Sequence, residues 1–102
     1  MLATDLYWRG KPVTVRIDFP ILNRLGLHAR ASARFVSIAA RFPCQVWVER
    51  DGQRVNGKSI MGLMTLAAAQ GSTLQLETSG EGERECADAL LALTMDRFGE
   101  GE

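Results

Sequence analysis

The only histidine of the chain, His28, stands directly before a helical pattern in the stretch NRLGLHARASARF, residues 23–35. A neutral imidazole is a nucleophile near physiological pH. If a helix begins at Ala29, the N–H groups of its first turn lack partners within the helix, and with the helix dipole they favour an anion. The same partial positive charge disfavours the imidazolium. His28 is therefore a candidate to carry a phosphoryl group at an anion-binding helix start.

Two neighbours of the histidine support this chemistry. Arg30 adds a guanidinium, whose planar fork matches phosphate oxygens, and its charge is unfavourable at a helix start unless an anion is present. Gly26 permits the tight backbone that joins the preceding loop to the helix. The residues alone leave open that His28 is a partly exposed loop residue that only caps the helix, and they do not identify a reaction.

Alternating and helical segments predict the elements that position this residue. Val13 to Ile21 alternates as a half-buried strand, and Pro20, which cannot donate a ladder hydrogen bond, predicts a sheet edge or a strand end. Asp51 and Gly52 form a hairpin turn. The predicted strands are 13–21, 44–49, 53–56 and 72–80, and the predicted helices are 29–42, 57–71 and 81–98.

Half-polar strands need cover on one face only. The predicted fold is therefore α+β, an open-faced sandwich in which a four-stranded antiparallel sheet is covered on one face by three helices, in the order β-α-β-β-α-β-α. The expected core stripes are Ser32, Phe35, Val36 and Ala39 in the first helix, Leu63, Leu66 and Ala67 in the second, and Cys86, Ala89, Leu90, Leu93 and Met95 to Phe98 in the third.

Length and composition limit the remaining possibilities. The 102 residues, 46% of them hydrophobic, suit one domain, which we assign to residues 12–102 after an extension of uncertain structure at 1–11. Twelve basic and twelve acidic residues cancel, so no nucleic-acid partner is indicated. The chain shows no apolar run of membrane-spanning length and no signal peptide, so we expect a cytoplasmic protein without membrane insertion. One small neutral domain is most simply a monomer.

The two cysteines, Cys44 and Cys86, lie far apart in sequence and have no histidine or further cysteine nearby. Buried free thiols are expected, with a disulfide as the alternative. Neither a metal site nor any other cofactor is predicted.

The segments GLHARASARFV and NGKSIMGLMTLAAAQG, in this order and at this separation, resemble the HPr family, the histidine-containing phosphocarriers of the bacterial phosphotransferase system. The similarity is continuous from about Val15 to Phe98. It implies a four-stranded antiparallel sheet covered by three helices. It also implies that enzyme I phosphorylates His28 on Nδ1, using phosphoenolpyruvate, and that His28 passes the group to an enzyme IIA domain. Arg30 matches the assisting arginine, and the amides of Ala29 and Arg30 would hold the phosphate.

The resemblance also assigns roles to the second helix. Ser59 matches the serine that HPr kinase/phosphorylase modifies in many members, although its spacing equally suits a plain helix cap. Ile60, Met61 and Met64 lie to one side of the expected core stripe, and the family docks partners through this helix. Arg30, Arg34 and Arg54 are candidates for a basic rim, with plain solvated arginines as the alternative. Ala31 departs from the family pattern, which has proline there.

A histidine at a helix start is compatible with three classes of function, namely a phosphoryl carrier, a small enzyme and a regulatory module. A phosphoryl carrier is favoured over a small enzyme, because no carboxylate, cysteine or serine constellation accompanies His28 in a local motif. A purely regulatory module, whose phosphorylation state selects partners without driving sugar uptake, would use the same residues and remains the alternative.

Overall fold

The structure of the protein, a computed structural model, describes residues 14–102. Its strands and helices follow in the predicted order. They are β1 (Thr14–Pro20), α1 (Ala29–Ala39), β2 (Gln45–Arg50), β3 (Gln53–Asn56), α2 (Ile60–Thr65), β4 (Thr73–Ser79) and α3 (Glu83–Met95), with a final 3₁₀ turn at Arg97–Gly99. The predicted extension 1–11, the proposed boundary at residue 12 and the first predicted strand residue, Val13, lie outside the described residues.

The four strands form one antiparallel sheet in the order β1-β4-β2-β3. Pro20 is the last residue of the edge strand β1, where its missing N–H costs no ladder hydrogen bond. Asp51 and Gly52 both have left-handed φ angles, 50° and 83°, and connect the paired residues Arg50 and Gln53 as a two-residue hairpin turn. The predicted fold class is thereby confirmed.

The core lies between one face of the sheet and the helices, as strand alternation predicts. Phe19 of β1 meets Phe35 of α1 edge to face, with ring centroids 5.5 Å apart, and this contact packs the middle of the first helix against the sheet. The other fully buried side chains of the sheet are Val46, Val48, Leu74, Leu76 and Thr78.

All three helices are shorter than predicted. The chain after α1 forms i→i−3 hydrogen bonds, from the N–H of Arg41 to Ile38 and from that of Phe42 to Ala39, so the last turn tightens before Pro43. The helix α2 ends at Thr65, because Ala67 adopts a left-handed φ of 49°.

Four expected core positions were wrong, because Ala67, Met95, Asp96 and Arg97 are all exposed. Ala67 is exposed and Ala68 is buried in its place, since the left-handed residue rotates the chain after α2. Met95, the last residue of α3, is 60% exposed. Phe98 is fully buried, as expected.

The chain reverses direction after α3. Arg97, Phe98 and Gly99 have φ angles of 54°, 55° and 73°, and the buried ring of Phe98 anchors this turn in the core. The guanidinium of Arg34 donates a hydrogen bond to the carbonyl of Phe98. As a result, residues 100–102 lie against the loop between β1 and α1, where the N–H of Arg24 donates to the carbonyl of Glu102 at 2.6 Å.

Cys44 and Cys86 are buried and free, as expected. Within residues 14–102, every helix is too short or too polar to cross a bilayer.

Candidate functional site

His28 is the N-cap residue of α1. Its backbone is extended, with φ −77° and ψ −178°, and its ring nitrogen Nδ1 accepts a hydrogen bond from the N–H of Arg30 at 3.2 Å. The first hydrogen bond within the helix runs from the N–H of Ser32 to the carbonyl of His28 at 2.8 Å. The N–H groups of Ala29, Arg30 and Ala31 therefore precede the hydrogen-bonded part of the helix, at its electropositive end. Nδ1 lies among the donors that the sequence predicted.

Ala31 is fully buried within the core cluster. A proline at this position would lack the N–H, whereas alanine retains it at the helix start beside His28. The departure from the family pattern thus leaves the anion-binding end of α1 with one more donor.

The other ring nitrogen of His28 contacts a carboxylate from the end of the chain. Nε2 lies 2.6 Å from Oε2 of Glu100, 72 residues away in sequence. The side chain of His28 is 29% exposed and that of Glu100 is 12% exposed. The contact with Glu100 therefore fixes the Nε2 side of the ring, and Nδ1 lies at the first turn of α1.

Glu100 is itself held by Asn23, which is fully buried. Nδ2 of Asn23 donates to Oε1 of Glu100 at 2.9 Å and to the carbonyl of Gly26 at 2.8 Å. Burial raises the pKa of Glu100, but the hydrogen bonds from Asn23 and His28 outweigh that effect and hold the pKa below its usual value. The carboxylate is accordingly ionised at neutral pH.

A cleft of about 390 Å³ opens beside the histidine. Three arginines line it, Arg24 from the loop and Arg30 and Arg34 from α1, together with Glu100 and Glu102. Arg24 is paired with Glu102, whose Oε1 lies 2.6 Å from its Nε. Guanidinium groups bind phosphate oxygens through paired N–H groups. The cleft therefore presents the guanidinium groups of Arg30 and Arg34, which are two of the three predicted rim arginines, near the start of α1.

Arg54 does not belong to this site. It lies on the open face of the sheet, where its guanidinium is 4.9 Å from the ring centroid of Trp47 and its two terminal nitrogens lie 3.2 and 3.3 Å from the carboxylate of Glu77. The expectation of a rim that includes Arg54 is wrong because β3 is the far edge strand of the sheet and Arg54 faces away from the helices.

Ser59 is the N-cap of α2, and its Oγ accepts a hydrogen bond from the N–H of Gly62 at 3.0 Å. The capping interpretation of Ser59 is correct, and it is compatible with a modification site. The helix that follows packs against α1.

The three residues predicted to dock partners are exposed. Ile60, Met61 and Met64 are all on the surface of α2, with Met61 the most accessible at 73%. Leu25, which was not predicted, is exposed in the loop before His28 and lines the cleft. Apolar surface thus flanks the histidine and also lies on α2.

The sequence did not point to Asn23 or Glu100. Neither residue forms a local pattern with His28, and the only sequence signal is the pair of glycines, Gly99 and Gly101, around Glu100. Among residues 14–102, no group of three or more histidine, cysteine, aspartate or glutamate side chains could hold a metal ion.

Comparisons with known proteins point in one direction. A family model described as the PTS HPr component phosphorylation site matches residues 15–96. The phosphocarrier protein HPr of Cupriavidus necator is 58% identical over 85 residues, which cover 83% of this chain and 96% of the relative.

Solved structures show the same similarity. HPr from Thermoanaerobacter tengcongensis has a TM-score of 0.81 at 44% identity, covering 84% of this chain and 97% of that one. A crystal structure of an HPr dimer from the same organism has a TM-score of 0.69 at 46% identity, covering 80% of this chain and 94% of that one. The expectation that this chain is a monomer stays a prediction.

Proposed function

Because this chain belongs to the HPr family of phosphocarriers of the phosphotransferase system, we propose that His28 accepts a phosphoryl group on Nδ1 from phosphorylated enzyme I and passes it to an enzyme IIA domain. One observation carries the proposal. Nδ1 of a partly exposed histidine accepts a hydrogen bond from the first turn of α1, so its lone pair is free of a proton and lies at the anion-binding end of the helix.

The transfer is an in-line exchange between two imidazoles. The lone pair of Nδ1 attacks phosphorus, the bond from phosphorus to the donor histidine breaks, and its electron pair returns to the donor ring. The N–H of Arg30, which bonds Nδ1 in the free protein, becomes available to a phosphoryl oxygen. The N–H of Ala29 adds a second donor at the same end of the helix.

Arg30 assists by charge. The phosphoryl group carries nearly two negative charges, and Arg30 lines the cleft beside His28 together with Arg34. These guanidinium groups are exposed, so they stabilise the group without burying it. A carrier must release its cargo, and excessive stabilisation of the bound phosphate would slow the second transfer.

Ser59 is the proposed regulatory site, modified by an HPr kinase/phosphorylase. Its side chain is only partly buried, and α2 packs against α1, the helix that begins after His28. Phosphorylation adds roughly two negative charges. Placed beside Ile60 and Met61, this charge would oppose docking of a partner on the exposed apolar surface of α2.

The test is labelling by enzyme I and radioactive phosphoenolpyruvate. The intact protein should acquire one acid-labile phosphate, and His28→Ala should acquire none. Arg30→Ala should accept the label about tenfold more slowly, as expected for loss of one charged contact, while Arg41→Ala, which alters an exposed arginine beyond the end of α1, serves as the matched control. Acid-labile phosphate on His28→Ala would refute the assignment.

A second step distinguishes a phosphoryl carrier from a module that only selects partners. Labelled protein is mixed with a IIA domain, and passage of the label supports the carrier function. A label that is accepted from enzyme I but retained would instead support the purely regulatory alternative.

A further inference from the structure

The two nitrogens of His28 face groups of opposite hydrogen-bonding character. Nδ1 faces the N–H of Arg30, which can only donate, at 3.2 Å. Nε2 faces the carboxylate of Glu100, which, when ionised, can only accept, at 2.6 Å. Only the neutral tautomer with its proton on Nε2 satisfies both neighbours, and this tautomer leaves the lone pair on Nδ1.

Glu100 is held in place for this contact. The buried amide of Asn23 donates both of its hydrogens, one to Glu100 and one to Gly26, and its Oδ1 has no partner within residues 14–102. Reversing the amide would direct that oxygen at two acceptors. The orientation of Asn23 therefore fixes Oε1 of Glu100 as an acceptor, and the lowered pKa of that carboxyl favours its ionised form.

The carboxylate of Glu100 also lies close to the positive charge that the His28 ring gains while it is bonded to phosphorus. When the Nδ1 lone pair forms a bond to phosphorus, the ring with a proton on Nε2 gains positive charge, and Glu100 lies 2.6 Å from that proton's nitrogen. When the Nδ1–phosphorus bond breaks, the electron pair returns to Nδ1 and a neutral imidazole leaves. The proton stays on Nε2 in both directions, so the transfer needs no proton movement.

We infer that Glu100 is a positioning residue for phosphoryl transfer, which holds the Nε2–H tautomer of His28 and balances the charge of the phosphorylated ring, with Asn23 fixing its carboxylate. The inference rests on the proposed carrier function. Glu100 lies beyond residues 15–96, the range that the family model matches, and reaches the site only through the chain reversal at Arg97–Gly99.

The experiment uses the single histidine as its own probe. In ¹⁵N-labelled protein, two-bond ¹⁵N–¹H correlations at neutral pH report one imidazole, and the intact protein should show Nε2 protonated and Nδ1 unprotonated. In Glu100→Gln, which keeps the shape, the amide can donate or accept at Nε2. The two nitrogen shifts should therefore move toward each other as the tautomers mix.

The same variants are tested for transfer. Glu100→Gln should accept phosphate from enzyme I about tenfold more slowly, the loss typical of removing a carboxylate that orients a functional histidine. The matched control is Asp96→Asn, which removes an equal charge from an exposed carboxylate that makes no hydrogen bond to the described part of the chain. It should retain the spectrum and the rate of the intact protein, and thermal unfolding verifies that both variants are folded.

The outcomes separate the two proposals. Intact protein that takes no phosphate from enzyme I overturns the carrier function. Intact protein that is phosphorylated, together with a Glu100→Gln variant whose spectrum or rate matches it, overturns only the role of Glu100. A proton on Nδ1 in the intact protein overturns it as well.

Discussion

The backbone carbonyl of Ala68 accepts a hydrogen bond from the N–H of Leu27 at 2.9 Å. Both residues are buried, and Leu27 directly precedes His28. The loop that presents the histidine is therefore tied to the chain that leaves α2. This contact brings together the two sequence segments that first indicated the function.

Gly26 allows the loop before His28 to lie close to the backbone of Ala68, and replacing this glycine should destabilise the fold. Its φ is 71°, and a Cβ there would lie 2.5 Å from the carbonyl oxygen of Ala68. Gly71 has a similarly positive φ of 92° with no atom within 4 Å of such a Cβ. Gly71→Ala should cost about 1–2 kcal/mol from backbone strain alone, and Gly26→Ala about 1–3 kcal/mol more from overpacking.

Urea unfolding of both variants measures the difference. Equal losses of unfolding free energy would show that the close approach to Ala68 is unimportant.

Two substitutions of Ser59 separate the effect of its N-cap hydrogen bond from the effect of a negative charge at this position. Ser59→Ala removes the oxygen that accepts from the N–H of Gly62, and should lower the free energy of unfolding by about 1 kcal/mol. Aspartate caps as well as serine, so Ser59→Asp should unfold at nearly the same urea concentration as the intact protein. It should nevertheless slow phosphate acceptance by His28, because it adds charge to the docking surface. A Ser59→Asp variant that transfers at the normal rate would contradict the regulatory role.

Met61 and Met95 offer a matched pair of exposed methionines, 73% and 60% accessible, on different helices. Replacing either by alanine should change the free energy of unfolding by less than about 0.5 kcal/mol, as is usual at the surface. Only Met61→Ala should raise the KM for transfer from enzyme I, by about fivefold if the side chain contributes about 1 kcal/mol to docking. Steady-state transfer rates at varied carrier concentration check this, and equal effects of the two substitutions would argue against docking through α2.

Titration of Cys86 should make the free energy of unfolding depend on pH in the alkaline range. Burial, followed by the hydrogen bond and charge of Cys44, raises the pKa of Cys86 from 9.0 to about 12. A group whose pKa is raised by folding contributes stability below its unfolded value and loses that contribution as the pH rises toward the folded value. Stability should therefore fall between pH 9 and 12, by up to about 1.4 kcal/mol per pH unit for one proton.

The comparison variant is Cys86→Ala, which lacks this titration. Urea unfolding at several pH values should show the free energy of the intact protein declining relative to that of the variant above pH 9. A constant difference between the two across this range would exclude Cys86 as the source.

Local patterns in the sequence were sufficient to predict the order of the strands and helices and the residue at which α1 begins. Alternation of apolar residues indicates which strand face is buried, and a capping residue indicates the first turn of a helix. Both signals are local, because they depend on neighbours within about four positions. For this reason His28 and Ser59 were correctly placed at helix starts, and Asp51 and Gly52 at a hairpin turn. The ends of helices were less well predicted, since the left-handed conformation of Ala67, which ends α2 and turns Ala68 into the core, is not favoured by the residue type.

The contact between His28 and Glu100 was decided by the tertiary structure alone. It joins residues 72 positions apart and depends on two left-handed residues, Arg97 and Phe98, whose types do not favour that conformation. Burial of the Phe98 ring compensates for that backbone strain. No local sequence pattern predicts whether such burial outweighs the strain. The sequence by itself predicted the candidate nucleophile, His28, and the helix that begins directly after it. Only the folded chain placed the N–H of Arg30 at Nδ1 and the carboxylate of Glu100 at Nε2, because the second of these contacts joins segments that are distant in sequence.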